Sequence, residues 1–122
     1  MPTVAIIGAS NNPAKFGNKA VRAYIKQGWT VYPINPSKSL IANIRAYTSV
    51  VEAPQPLDRV SLYVPSDVGM TLLEDIAAVK PKEFFINPGA ESDVLIARAK
   101  QLGLNPILAC SIRDIHEDPS EY

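Results

Sequence analysis

Thr3-Val4-Ala5-Ile6-Ile7-Gly8, followed by Ala9-Ser10-Asn11-Asn12-Pro13-Ala14-Lys15-Phe16-Gly17, is the stretch on which the fold turns. The first five residues are a short aliphatic run, the signature of a strand covered on both faces. Gly8 closes the run and allows a tight change of direction. Ala9 to Gly17 is rich in Ser, Asn and Pro and reads as a loop. Val21, Tyr24, Ile25 and Gly28 then follow i, i+3, i+4, i+7 spacing. That spacing predicts a helix from about Asn18 to Gln27, stopped by Gly28. A buried strand, a small-residue loop and a helix open an α/β unit.

The pattern repeats along the chain. Trp29–Ile34 reads as a second strand, weakened at Pro33 and closed by Asn35-Pro36. The segment from Ser37 to Gln55 is poorly patterned, with a small strand expected at Arg45–Tyr47. Val60–Val64 is a third strand, stopped by Pro65. Ser66 is placed to cap a helix whose core face is Val68, Leu72, Leu73, Ile76 and Val79. Glu83–Ile86 is the fourth strand. A helix follows over about Glu91 to Leu102, with Glu91 and Asp93 as dipole partners at its start, Arg98 and Lys100 near its end and Gly103 beyond. Pro106–Cys110 is the fifth strand. Alternation with short connections predicts a five-stranded, mainly parallel sheet with helices on both faces. Ligands of such sheets bind beyond the carboxyl ends of the strands. The candidate site is therefore four loops: Gly8–Gly17, Asn35–Lys38, Pro65–Gly69 and Asn87–Ala90.

Composition narrows the function. The 122 residues are 47% hydrophobic and 20% charged, an ordinary globular balance, and formal net charge is zero. The distribution is uneven: positions 1–51 hold six bases and no acid, whereas positions 52–122 hold six bases and all twelve acids. Dense basic runs with interleaved aromatics are missing, so nucleic acid is not the expected partner. No apolar run reaches membrane-spanning length, no signal-peptide layout is present, and the single Cys110 fits a reducing compartment, so a cytoplasmic location is expected. One His and one Cys offer no metal-ligand cluster.

The first loop combines a strand-exit glycine, the Ser10 hydroxyl and Lys15, groups suited to phosphate. An ordinary turn with a solvated lysine fits the same residues. The dinucleotide pattern G-x-G-x-x-G fails, because Ser10 and Pro13 stand where its second and third glycines belong. After strand two, Asn35, Pro36, Ser37 and Lys38 replace the acid that grips a bare ribose, and a lysine there favours an extra phosphate. Lys19, Arg22 and Lys26 read as a solvated helix face. Trp29 and Tyr32 read as packing residues, and His116 as a surface residue.

The blocks VAIIGASNNPAKFG, WTVYPINPSK, LYVPSDVG and FFINPGAESDVLIARAKQLGLNPILACSI, in that order, resemble those of small CoA-binding-domain proteins. These are stand-alone relatives of the CoA-binding domain of the succinyl-CoA synthetase α subunit. The similarity runs from about Val4 to Ile112. It implies a Rossmann-like three-layer α/β fold, with residues 1–122 as one CoA-binding domain and 113–122 as a charged surface tail. It also implies coenzyme A, or an acyl-CoA, as the ligand. Gly8, Ala9 and Ser10, with Lys15 and Phe16, would meet phosphate groups. Asn35, Pro36 and Lys38 would hold the adenosine end, with Lys38 on the ribose 3′-phosphate. Val64 and Pro65 would pack against adenine or the start of the pantetheine arm, and Pro88 and Gly89 would approach the thiol-bearing side. Many relatives have Tyr at the position of Phe16, and an Asp-Arg pair before the cysteine. Cys110 falls on the ligand side, where a thiol contact or mixed disulfide with CoA stands against a plain buried thiol. No catalytic residue is assigned. Two other readings stay open: an NADP-binding redox-sensing module, and the CoA-binding subunit of a multi-chain acyl-CoA ligase. A homodimer is also open.

Overall fold

The computed structural model describes residues 1–122. β1 (Thr3–Ile7) lies inside a five-stranded sheet with β2 (Thr30–Ile34), β5 (Arg59–Leu62), β6 (Glu83–Ile86) and β7 (Pro106–Leu108). Their order is β2-β1-β5-β6-β7 and every pairing is parallel. Sequence order runs outward from β1 on both sides, so the topological switch point lies at the exit of β1.

Strand alternation divides the core in two. Val4 and Ile6 face α1 (Phe16–Lys26) and α4 (Ser111–Asp114), packing with Ala20, Val21, Tyr24 and Ile112. Ala5 and Ile7 face the other way, toward α2 (Ser66–Val79) and α3 (Asp93–Gln101), with Leu73, Ile76, Leu95 and Ala99. This is the expected three-layer α/β fold. No helix is long and apolar enough to cross a membrane.

Two backbone approaches set how closely helices sit on this sheet. A Cβ placed on Gly17 would lie 2.1 Å from the Gly8 carbonyl oxygen, so the first turn of α1 rests directly on the exit of β1. Gly8 itself has φ +90°, a conformation open to glycine, and its Cα faces the Tyr63 backbone.

A buried polar network ties the carboxyl-terminal segment to the sheet. Asn87 Nδ2 donates to Ser61 Oγ (2.8 Å) and to the Leu62 carbonyl (2.9 Å), while its Oδ1 accepts from the Ser111 N–H (2.9 Å). Ser111 Oγ lies 2.6 Å from Ser61 Oγ, and the Tyr24 hydroxyl donates to the Ser111 carbonyl at 3.1 Å. Arg59, 6% exposed, pairs with Glu83 and Asp114 at 2.8 Å each and lies over the Phe85 ring. No buried side-chain polar atom lacks a partner, as a polar cluster in a dry core requires.

Several local expectations change. α1 begins at Phe16, so the first loop is shorter than Gly8–Gly17. The small strand expected at Arg45–Tyr47 is a hairpin instead, β3 (Leu40–Ile41) with β4 (Ile44–Arg45), and Tyr47 forms a single parallel bridge to Ile34. Ser66 is not a cap: Pro65 holds that position and Ser66 Oγ hydrogen-bonds Ser92 Oγ, because the backbone turns one residue earlier. Val68 is 43% exposed, and Gly69 takes the core position against Leu62. Glu91 precedes α3 and accepts from the Gly89 N–H, leaving Ser92 as the cap. In the 113–122 segment, Ile115 and Pro119 are buried while His116 is exposed.

Gly17→Ala is expected to cost about 1–3 kcal/mol by overpacking, read as a lower urea midpoint with an unchanged m-value. Acid sensitivity follows from three carboxyls held below their ordinary values. Asp58 is lowered by the Thr3 N–H and then Lys82, Glu117 by the Tyr122 hydroxyl and then Gln27, and Asp118 by the Ser120 N–H. Depressed folded pKa values mean stability is present above the ordinary 3.8–4.5 range and is lost as pH falls through the lowered ones. Urea midpoints should hold from pH 7 to about 5 and decline below about 4. Asp58→Asn should flatten part of that decline.

Candidate functional site

The carboxyl ends of the strands open onto a cleft of about 980 Å³, within the usual range for small-molecule sites. The exit of β1 supplies Gly8, Ala9 and Ser10, and the start of α1 supplies Lys15, Phe16, Gly17 and Lys19. Asn35 enters from the end of β2, and Tyr63, Val64 and Pro65 follow β5. Asn87, Pro88, Gly89 and Ala90 follow β6. Cys110, Arg113, Pro119 and Ser120 close the far side.

Most residues singled out in the sequence are therefore brought together: Gly8, Ala9, Ser10, Lys15, Phe16, Asn35, Val64, Pro65, Pro88, Gly89 and Cys110 share this cleft. Pro36 lines an adjoining, mainly apolar cavity of about 200 Å³, with Ile7, Ile34, Val50, Val68 and Leu72, to which Thr48, Ser49 and Asp75 add polar groups. The two spaces meet at Gly8, Asn35 and Val64. Lys38 lines neither space and lies in the exposed turn after Asn35.

The asparagines of these loops are braces. Asn35 Nδ2 donates to the Ala9 carbonyl (2.9 Å), and its Oδ1 accepts from the N–H groups of Ser37 (2.9 Å) and Lys38 (3.2 Å). Asn18 Nδ2 donates to the Ser10 carbonyl (2.8 Å), and Asn12 Oδ1 accepts from the Ala14 N–H (3.0 Å). Short amide side chains satisfy turns that regular structure cannot. The loops around the cleft are thus held before any ligand arrives.

The site's electrostatics are one-sided. Lys15, Lys19 and Arg113 line the cleft and no carboxylate does. Arg113 has one distant partner, Asp118, at 3.8 Å. α1 and α2 start at the cleft from Lys15 and Pro65, and neither start has a side-chain cap. α3, whose start is outside the cleft lining, is capped by Ser92. Uncapped first-turn N–H groups and the positive end of a helix dipole favour an anion. Phe16, 53% exposed, adds an aromatic face at the rim, with Lys19 Nζ 5.2 Å from its centroid. Burial raises the Tyr63 hydroxyl well above its ordinary value of 10, so it stays a neutral partner of Ser111 Oγ (3.1 Å).

Lys19, Tyr63, Arg113, Pro119 and Ser120 also line the cleft, outside the four loops that the sequence pattern points to. Lys19 lies one turn beyond the Lys15 cap and so reaches the same rim of the cleft, although with Arg22 and Lys26 it reads in the sequence as part of a solvated helix face. Arg113 and Ser120 reach the cleft only because α4 folds back over the sheet, and no local pattern announces that return.

A 75-residue stretch is 40% identical to the ADP-forming acetate–CoA ligase II subunit alpha of Pyrococcus furiosus, covering 58% of this chain and 16% of that protein. The ADP-forming acetate–CoA ligase of Methanocaldococcus jannaschii is 34% identical over 73 residues, covering 60% of this chain and 10% of its own length. The chain thus spans about a sixth or less of these ligases. A solved structure of a conserved hypothetical protein from Pyrococcus furiosus superposes with TM-score 0.85 at 29% identity, over 93% of this chain and 99% of that one. A dinucleotide-forming acetyl-coenzyme A synthetase 1 from Ca. Korarchaeum cryptofilum gives TM-score 0.77 at 26% identity, over 88% of this chain and 25% of its own. The family model described as CoA binding domain matches residues 2–114, the whole sheet and every residue of the cleft lining except Pro119 and Ser120. By that match and by its fold, the chain belongs to the CoA-binding domain family.

Proposed function

We propose that this domain binds coenzyme A, free or acylated, along the carboxyl edge of its sheet. The observation that carries the reading is the acid-free cleft lined by Lys15, Lys19 and Arg113 beside the uncapped start of α1. Coenzyme A brings a pyrophosphate, a further ribose phosphate, a purine and a long neutral arm ending in a thiol. In this reading the pyrophosphate lies over Gly8–Ser10 at the start of α1, with Lys15 as its counter-charge. The apolar side cavity beside Pro36 and Val64 takes the purine, and Lys38, on the turn braced by Asn35, reaches outward to the 3′-phosphate. The arm runs past Pro65 toward Pro88, Gly89 and Cys110, where its thiol end lies against the Cys110 side chain.

The relatives supply a second reading of the same site. In it the domain serves as the CoA-holding component beside catalytic chains of the kind that the several-fold longer matched ligases contain, and co-purification of such a chain from native extract would support it. An NADP-binding role predicts a different preference, for NADPH over CoA.

Isothermal titration of the full chain tests the proposal. CoA should bind with measurable heat, and Lys15→Ala should weaken it about tenfold, equivalent to about 1.4 kcal/mol. Dephospho-CoA should bind more weakly than CoA, and Lys38→Ala should remove that difference. No heat with CoA at millimolar concentration in folded protein rejects the reading. In a thermal-shift panel, CoA should stabilise the protein more than NADPH or ATP. Cys110 is tested separately with CoA disulfide: its thiolate would displace one CoA as thiolate and retain the other as a mixed disulfide. The adduct mass should be absent from Cys110→Ser.

A further inference from the structure

The two edges of the sheet are treated differently. At β2 the chain returns and covers the edge: the Asn35 N–H donates to the Tyr47 carbonyl, and the Tyr47 N–H to the Pro33 carbonyl, both at 2.9 Å. At β7 nothing covers the edge, and Ile107 and Leu108 are 37% and 55% exposed.

The hydrogen-bonding groups of that open edge can be assigned. The N–H groups of Glu83 and Asn87 donate to the Asp58 and Leu62 carbonyls, so odd-numbered residues of β6 face β5. Alternation turns Phe84 and Ile86 toward β7. Given the register Phe85↔Ile107, Ile107 then faces back to β6 and Leu108 points its N–H and C=O outward. Two residues before it, Pro106 has an outward C=O and no N–H. Two residues after it, Cys110 is extended, with its carbonyl already accepting from the Asp114 N–H at 3.2 Å and its own N–H unbonded.

This set of groups is complementary to itself. In an antiparallel two-fold pairing centred on Leu108, Leu108 exchanges both hydrogen bonds with the partner's Leu108. Pro106 then stands opposite the partner's Cys110. A regular ladder needs two bonds there, but the missing Pro106 donor faces the carbonyl that α4 already uses. The remaining bond, from the Cys110 N–H to the Pro106 C=O, is available in both directions.

The helix beside the edge fits the same axis. Leu95 and Ala99 face the core, and Arg98 reaches Glu74 on α2 at 3.3 Å. At 100° per residue, the opposite flank, on the β7 side, carries Asp93, Ile96 and Lys100. A two-fold axis sets the two α3 helices antiparallel, Ile96 against its own copy, with Asp93 and Lys100 each facing the opposite charge.

We infer that a second copy of this chain pairs along β7, joining two sheets into one of ten strands with reciprocal Asp93–Lys100 pairs across the axis. Sedimentation equilibrium on the full chain tests it up to about 100 µM, the range of modest self-association. Wild type should sediment as a dimer. K100E should weaken the dimer at least about tenfold, because it sets like charges face to face, and D93K/K100E should restore it. L108P, which removes the outward N–H and the exposed leucine side chain but none of the bonds of Ile107 to β6, should also give monomer, with circular dichroism confirming the fold of each variant. A wild-type monomer throughout that range overturns the inference, as does a dimer unchanged by K100E. The experiment uses no ligand, so its outcome is independent of CoA binding.

Discussion

The close contact between Gly17 and the Gly8 carbonyl is the constraint on which the site depends. A Cβ at position 17 would lie 2.1 Å from that oxygen, so only glycine allows α1 to start where it does. With the helix seated there, its first-turn N–H groups lie at the switch point of the sheet, beside Ser10 and Lys15. A side chain at position 17 would lift the helix and carry Lys15, Phe16 and Lys19 away from the β1 exit. The dinucleotide pattern reaches a similar geometry with closely spaced glycines. Here the loop is longer, and Asn12, Asn18 and Asn35 take up the bracing.

The second support is the polar network under α4. Ser61, Asn87 and Ser111 are buried and mutually hydrogen-bonded, which is favourable only when every member is satisfied. Satisfying it fixes the Ser111 N–H and carbonyl, and so fixes Cys110 and Arg113 at the far wall of the cleft. Arg59 extends the same network to Asp114 and Glu83, with its charge paired and its guanidinium carbon 4.3 Å from the Phe85 ring centroid. Burial acts against that charge, but the Tyr24 hydroxyl and Glu83 more than offset it, and Arg59 stays cationic. One end of the cleft is set by backbone packing and the other by a buried hydrogen-bond cluster.

These two supports explain what could be read from sequence. The sheet was legible because Val4–Ile7 and Phe84–Ile86 are aliphatic or aromatic runs closed by Gly8 and Asn87, and Val60–Val64, broken only by Ser61, is closed by Pro65, a strong signal for strands covered on both faces. Strand-exit loops follow from topology, so Gly8, Ser10, Lys15, Pro65 and Gly89 could be placed at one edge. The hairpin at Leu40–Arg45 was not legible, because Ala42 and Asn43 carry its turn at positive φ without glycine. Ser66 resembles a cap locally, yet the preceding proline takes that place. Arg113 and Ser120 enter the cleft through Ser111, whose partners lie 24 and 50 residues away. The basic first half supplies Lys15 and Lys19 to the cleft lining, whereas Lys38 of the same half stays outside it. The third cation came from the acidic half and needed the fold.

In the proposed function, the start of α1 and the facing loops form one anion-binding cleft for coenzyme A. Amide NMR during CoA titration tests it most directly. The largest shifts should fall on Gly8–Lys19, Val64, Gly89 and Cys110–Arg113, with the α1 first-turn amides moving downfield as they gain an acceptor. Saturating CoA that leaves the Phe16 and Gly17 amides unmoved while shifting another surface would contradict it.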